Sequence, residues 1–178
     1  MQKLSKKNYT KIGILGGTFD PPHFGHVEIC KIAIKKLKLK KVFWVATNKN
    51  PFKLKANFKL KTRIKLSKKI LGKQKKIRIK NTNKILSSKS TYNILKYLKK
   101  KNKKIELFFI MGADNLINFH KWHNWRKIPT LAKVVVFARP NFSIKALKSV
   151  ASKKLSKKDW IYINFTKFNI SSSKIKKI

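Results

Sequence analysis

The segment Gly16–His26, GGTFDPPHFGH, gathers residue types that handle phosphate. Two of the chain's four histidines and one of its five acidic residues fall inside it. Gly16 and Gly17 let the backbone turn tightly and approach a ligand closely. An apolar run precedes the segment and an amphipathic one follows it, so it reads as a strand exit that feeds a helix. The N–H groups at the start of that helix face the same place, which makes an anion site by geometry alone. His23 and His26 stand three residues apart, as neighbours on one helical face, and Gly25 between them leaves room for a ligand. Two imidazoles there can donate hydrogen bonds to charge developing on a transferred phosphoryl or nucleotidyl group. The spacing is neither the phosphate loop GxxxxGK[ST] nor the dinucleotide pattern GxGxxG. A bare strand–turn–helix junction with two surface histidines is the plainer alternative. The whole string, set between strand and helix, favours binding and activation of a nucleoside triphosphate.

The flanking pattern supplies the elements that must hold this segment. KIGIL (Lys11–Leu15) is a short β-rich run ended by Gly-Gly. From His23 to Leu39, apolar residues recur at Phe24, Val27, Cys30, Ala33, Ile34 and Leu37, a helical period with a lysine face. Lys41–Ala46 reads as a buried strand, Thr47–Asn57 as a loop punctuated by Pro51, and Leu60–Leu71 as a helix closed by Gly72. Strands follow at Ile77–Asn81, Ile105–Gly112, Lys133–Ala138 and Trp160–Phe165. Helices are expected at Thr91–Lys100, Asn115–Ile128 and Ile144–Leu155. Strands alternating with helices at this spacing predict βαβ units: an α/β fold with a parallel sheet covered on both faces. No repeat or linker divides residues 1–178, so one domain is expected. Ligands of such sheets bind beyond the carboxyl ends of the strands, where the order reverses. Gly16–His26 and Gly112–Asp114 both lie at strand exits.

The totals bound the function. At 178 residues and 20.8 kDa the chain can bury a real core. One cysteine, Cys30, excludes an internal disulfide and suits a reducing cytoplasm. No signal-peptide pattern and no run approaching the roughly 20 apolar residues of a membrane span is present, so a soluble, cytoplasmic protein is expected. Lys and Arg number 47 against 5 Asp and Glu, a formal charge of +42. Clustered cations would suit a nucleic-acid binder. Here lysine is spread over the whole chain beside abundant isoleucine and asparagine, and only Arg63, Arg78, Arg126 and Arg139 are arginines. Compositional bias accounts for that pattern better than dedicated nucleic-acid reading, which favours arginine. Non-specific polyanion binding is expected either way.

With these residues in view, GGTFDPPHFGH resembles the signature of the HxGH nucleotidyltransferases, His23-Phe24-Gly25-His26 being the HxGH box. The longer form with TFDPPH resembles the bacterial nicotinate-nucleotide adenylyltransferases. Three further segments are similar to that subfamily: MGADNLINFHKWHNW (Met111–Trp125), FARP (Phe137–Pro140) and ISSSKIK (Ile170–Lys176). The resemblance runs over about residues 11–176 and leaves 1–10 as a basic extension. It implies a Rossmann-like fold and transfer of AMP from ATP to nicotinate mononucleotide, giving deamido-NAD and pyrophosphate. Attack by the acceptor's phosphate on the α-phosphorus is direct, so Cys30 need not be a nucleophile.

The resemblance also implies roles. His23 and His26 are the catalytic pair. Gly16, Gly17, Thr18, Phe19, Lys53, Gly112, Asp114, Arg139, Ser171 and Ser172 would contact ATP, and Thr91 and Trp122 nicotinate mononucleotide. Trp122 would stack on the nicotinate ring, with Trp125 in the core. Asp20 fits either a turn or a ligand role. Mg²⁺ would be held mainly by the triphosphate, with no protein metal site, which suits a chain poor in carboxylates. A homo-oligomer is compatible with the family. Departures are Ser173 where threonine is usual, Lys176 where arginine is usual, NPFK in place of PPHK, and a chain ending soon after the last motif. The competing readings are the same transfer to nicotinamide mononucleotide or phosphopantetheine, a basic nucleic-acid-binding protein, and an inactive relict of the fold.

Overall fold

A computed structural model describes residues 9–47, 56–81 and 90–164. Strand β1 spans Thr10–Gly17, helix α1 Phe24–Lys36, β2 Lys41–Ala46, α2 Leu60–Leu71, β3 Ile77–Asn81 and α3 Thr91–Lys101. Then come β4 at Ile105–Gly112, α4 at Ala113–Ile117, β5 at Lys133–Phe137, α5 at Ser143–Leu147, α6 at Val150–Lys154 and β6 at Trp160–Ile163. The six strands form one parallel sheet in the order β3-β2-β1-β4-β5-β6. The order reverses between β1 and β4, so the crevice expected for a ligand opens beside the carboxyl end of β1.

Alternation along each strand sends side chains to two separate cores. Ile12, Ile14, Leu107, Phe109, Met111, Val134 and Val136 face α3 to α6. Leu15, Val42, Trp44, Phe108, Ile110 and Val135 face α1 and α2. Helices therefore cover both faces, as the α/β reading expects. Cys30 is fully buried on α1, and burial pushes its thiol pKa up, so it packs as a small apolar residue.

The expected elements at β2, α2, β3 and β4 match their observed bounds. Elsewhere the structure corrects the reading. Strand β1 does not stop at Leu15 but runs through Gly16 and Gly17, which pair with Val45 and Ala46. Helix α1 ends at Lys36, before the expected Leu39. The helix expected over Asn115–Ile128 is instead α4 followed by two short 3₁₀ turns, Phe119–Lys121 and Trp125–Lys127, separated by residues 122–124, of which Asn124 is in the left-handed region (φ 52°). Phe119 and Trp125 would point about 120° apart on a regular helix. Breaking the helix lets both bury in one core. The helix expected over Ile144–Leu155 is two, because the Ser149 hydroxyl accepts the Ser152 N–H and starts α6 anew. Strand β5 stops at Phe137 and β6 at Ile163; Phe165 lies outside the described residues. Among the described residues no helix is long and apolar enough to cross a membrane.

A charge of +42 on a chain of this size repels itself. Raising ionic strength from about 0.01 M to about 0.15 M shortens the screening length from about 30 Å to about 8 Å. The melting temperature is expected to rise over that range, measured by circular dichroism. An unchanged or lower value would show that the charge does not burden the fold.

Candidate active site

At the end of β1 the chain enters an aromatic cluster. Phe19 is buried with a left-handed backbone (φ 50°), and its ring folds back over Gly17. A Cβ on Gly17 would lie 3.1 Å from that ring, so the second glycine makes room for it. The Phe19 ring also packs on Trp44 (4.5 Å between centroids) and meets His26 edge-on at 5.0 Å. The His23 ring stacks on His26 at 3.7 Å. His26 Nδ1 accepts the backbone N–H of His23 (3.2 Å), which places the ring's own proton on Nε2. His23 caps the start of α1, whose first turn carries no acidic residue to neutralise the helix dipole. Its Nδ1 is buried without a hydrogen-bond partner. Burial, and then the nearby Arg139 charge, push its pKa down to about 4, so the ring is neutral at neutral pH.

The exit of β4 supplies a second group. The Asp114 carboxylate is ion-paired with the Arg139 guanidinium, which follows β5, at 2.7 Å. A Cβ on Gly112 would sit 2.6 Å from Asp114 Oδ1, so a side chain there would displace this carboxylate from its place over the strand end. Trp122 is half-buried, with its ring edge-on to Phe109 and Phe119. Phe109 in turn is the ring that a Cβ on Gly16 would touch, at 3.4 Å. Trp125 is buried in the core, as expected. Thr91 is the first residue of α3, capped by Ser90. Its neighbour Tyr92 meets His123, the residue after Trp122, edge-on.

The structure thus gathers His23, His26, Gly16–Phe19, Gly112, Asp114 and Arg139 at the exits of β1, β4 and β5, with Trp122 alongside. Lys53, Ser171 and Ser172, and the departures at Ser173 and Lys176, lie outside the described residues. Asp20, read as either a turn or a ligand residue, is engaged by a distant segment. Its carboxylate accepts the N–H groups of Asn57 (2.8 Å) and Phe58 (3.0 Å) and is buried. Sequence reasoning missed Arg63. It is buried on α2 and donates to the carbonyls of Thr18, Thr47 and Phe58. The signal was arginine itself, chosen at one of four positions in a chain that otherwise uses lysine for its cations.

The cytidylyltransferase-like family model matches residues 14–178. A "Probable nicotinate-nucleotide adenylyltransferase" of Pelagibacter ubique is 50% identical over 169 residues, which cover 95% of this chain and 93% of that protein. One of the same name from Ruegeria is 34% identical over 93% of this chain and 96% of that protein. The fold is similar to that of Plasmodium falciparum nicotinic acid mononucleotide adenylyltransferase complexed with NaAD, with a TM-score of 0.77 at 23% identity, over 95% of this chain and 83% of that one.

The buried neutral imidazole of His23 predicts a pH dependence. Its ordinary pKa is 6.5 and its folded pKa about 4. Between those values the unfolded chain binds the extra proton, so this contribution to stability is present at neutral pH and lost as pH falls through that window. Urea unfolding from about pH 7 down to about pH 4 is expected to show a shallower loss of stability in His23→Gln than in the parent. Equal slopes would sink the assignment.

Proposed function

The chain belongs to the nicotinate-nucleotide adenylyltransferases within the cytidylyltransferase-like family, and on that premise we propose that it transfers AMP from ATP to nicotinate mononucleotide, releasing pyrophosphate and forming deamido-NAD. The observation that carries this reading is the 50% identity over nearly the whole chain to the Pelagibacter ubique protein. The reaction is a single displacement. A phosphate oxygen of the acceptor bonds to the α-phosphorus of ATP as the bond from that phosphorus to the bridging oxygen breaks, and pyrophosphate leaves with the electron pair. No protein nucleophile is needed, so the protein's work is positioning and charge stabilisation.

His26, with its proton on Nε2, donates to the charge that develops on the phosphates. His23 stacks against it, fixes its orientation, and as a neutral ring offers a hydrogen bond rather than a charge. The start of α1 and the N–H groups of Gly17–Phe19 add partial positive charge. Arg139 faces the polyphosphate, and Asp114 and Gly112 lie where a ribose would sit. Trp122 offers an indole face for the nicotinate ring, with Thr91 toward its carboxylate. Lys53, Ser171 and Ser172 complete the nucleotide site in this reading. The donor set fits Mg²⁺ carried by ATP. Among the described residues no cluster of three His, Cys, Asp or Glu could hold a metal, and the site carboxylate Asp114 is engaged by Arg139. When bound, the ion offsets triphosphate charge. We place the protein in the cytoplasm, where both substrates occur.

Pyrophosphate release with Mg-ATP is expected with nicotinate mononucleotide and not with nicotinamide mononucleotide or phosphopantetheine. His26→Ala is expected to lower kcat by about 10²–10³-fold, the usual loss for one transition-state donor. Release with another acceptor alone would move the substrate; no release from folded protein would remove the reading. Trp122→Ala is expected to raise KM for the mononucleotide by tenfold or more, as loss of about 1–3 kcal/mol of stacking implies, while leaving KM for ATP unchanged. Equal effects on both substrates would assign Trp122 to the core instead.

A further inference from the structure

We propose that Arg63 is a positioning residue for the nucleotide, setting the backbone of Thr18 and Phe19 so that their N–H groups serve as phosphate donors. The proposal rests on the reading of the site as an ATP site. Arg63 is only 2% exposed, yet no side chain that merely fills space would need a guanidinium there. Helix α2 already packs on its sheet through Leu71. What the guanidinium adds is a fork of donors to three backbone carbonyls in three different segments. Nε donates to Phe58 O (2.9 Å), at the start of α2; Nη1 donates to Thr47 O (2.8 Å), just past β2, and to Thr18 O, just past β1. Two further links tighten the same arrangement. Both the N–H (3.0 Å) and the hydroxyl (3.3 Å) of Thr47 donate to Gly17 O. The Asp20 carboxylate takes the N–H groups of Asn57 and Phe58.

The consequence follows from the planar trans peptide, in which C=O and N–H point in opposite directions. The carbonyl of Gly17 is held by Thr47, so the N–H of Thr18 points away from it. The carbonyl of Thr18 is held by Arg63, so the N–H of Phe19 points away from the guanidinium. Two successive N–H groups ahead of a residue in the left-handed region, Phe19, make a small anion-binding concavity next to the start of α1. Lysine, although the chain uses it almost everywhere else, has a single ammonium and cannot bridge three carbonyls from a fixed plane.

The test compares Arg63→Lys with Leu71→Ala, which loosens the same helix without touching the loop, both against the parent. Binding of a non-hydrolysable ATP analogue is measured by calorimetry on the folded fraction, and KM for each substrate by pyrophosphate release. Arg63→Lys is expected to weaken analogue binding by about tenfold (about 1.4 kcal/mol) and to raise KM for ATP, with KM for nicotinate mononucleotide unchanged. Leu71→Ala is expected to melt lower but bind as the parent does. Parent-like binding by Arg63→Lys would make Arg63 a structural residue only and overturn the proposal. Should Arg63→Lys not fold, hydrogen exchange on the parent decides: the analogue is expected to protect the amides of Thr18 and Phe19, and unchanged exchange overturns the proposal. If the parent binds the analogue yet turns over no acceptor, the adenylyltransferase reading falls, and the binding data still judge Arg63.

Discussion

The absence of side chains on the last two residues of β1 is the constraint on which the site depends. Strand β1 is central, flanked by β2 and β4, so anything at its exit is pressed from both sides. Over Gly16 lies Phe109, and against Phe109 lies Trp122. Over Gly17 lies Phe19, and against Phe19 lies His26. One pair of glycines therefore sets two aromatic chains, one toward the imidazoles and one toward the indole. A methyl group on Gly17 would crowd the Phe19 ring, while one on Gly16 would just touch Phe109. Gly13, further back, meets the same crowding from Val42, Leu39 and Ile110, so the strand is tightly packed well before it reaches the site.

Around that frame the carboxylates are engaged in ways that leave the site electropositive. Only two of the five carboxylates lie in this region, and both are engaged: Asp20 by backbone N–H groups and Asp114 by Arg139. His23 is neutral because it is buried beside a cation. Beside them stand the start of α1, with no acidic residue in its first turn, and Arg139. A low-dielectric wall of Phe19, Trp44 and the two stacked imidazoles strengthens each of these toward an anion.

Much of this was legible in the chain, and the limits have physical causes. Buried parallel strands announce themselves as short apolar runs and the edge strand by its alternation, so β2 and β4, and likewise β3, have the bounds their sequences suggest. The HxGH string carried strand, turn and helix in one piece, which located His23 and His26 together. Where long-range packing overrides local period, the reading failed. Phe119 and Trp125 are six residues apart and drawn to one core, so α4 stops at Ile117 and short 3₁₀ turns carry the chain between them. Ser149 looks like any serine until its hydroxyl caps α6. Arg63 and Asp20 act through backbone atoms of distant segments, and sequence does not display backbone partners. The Asp114–Arg139 pair joins two motifs that were each recognised, but their contact depends on β4 and β5 being neighbours.

That pair also governs which anions the site would accept. Arg139 already has a counter-charge at 2.7 Å. A ligand that takes the guanidinium for itself strands a carboxylate that is mostly shielded from water, and an unpartnered charge there is costly. Inorganic phosphate or pyrophosphate can take Asp114's place at Arg139, but at neutral pH has at most a remaining acidic O–H to offer the carboxylate. A nucleotide brings phosphate for the arginine and ribose hydroxyls that can donate to the carboxylate. The ion pair therefore favours a ligand that brings hydroxyl donors beside its phosphates over an anion without them.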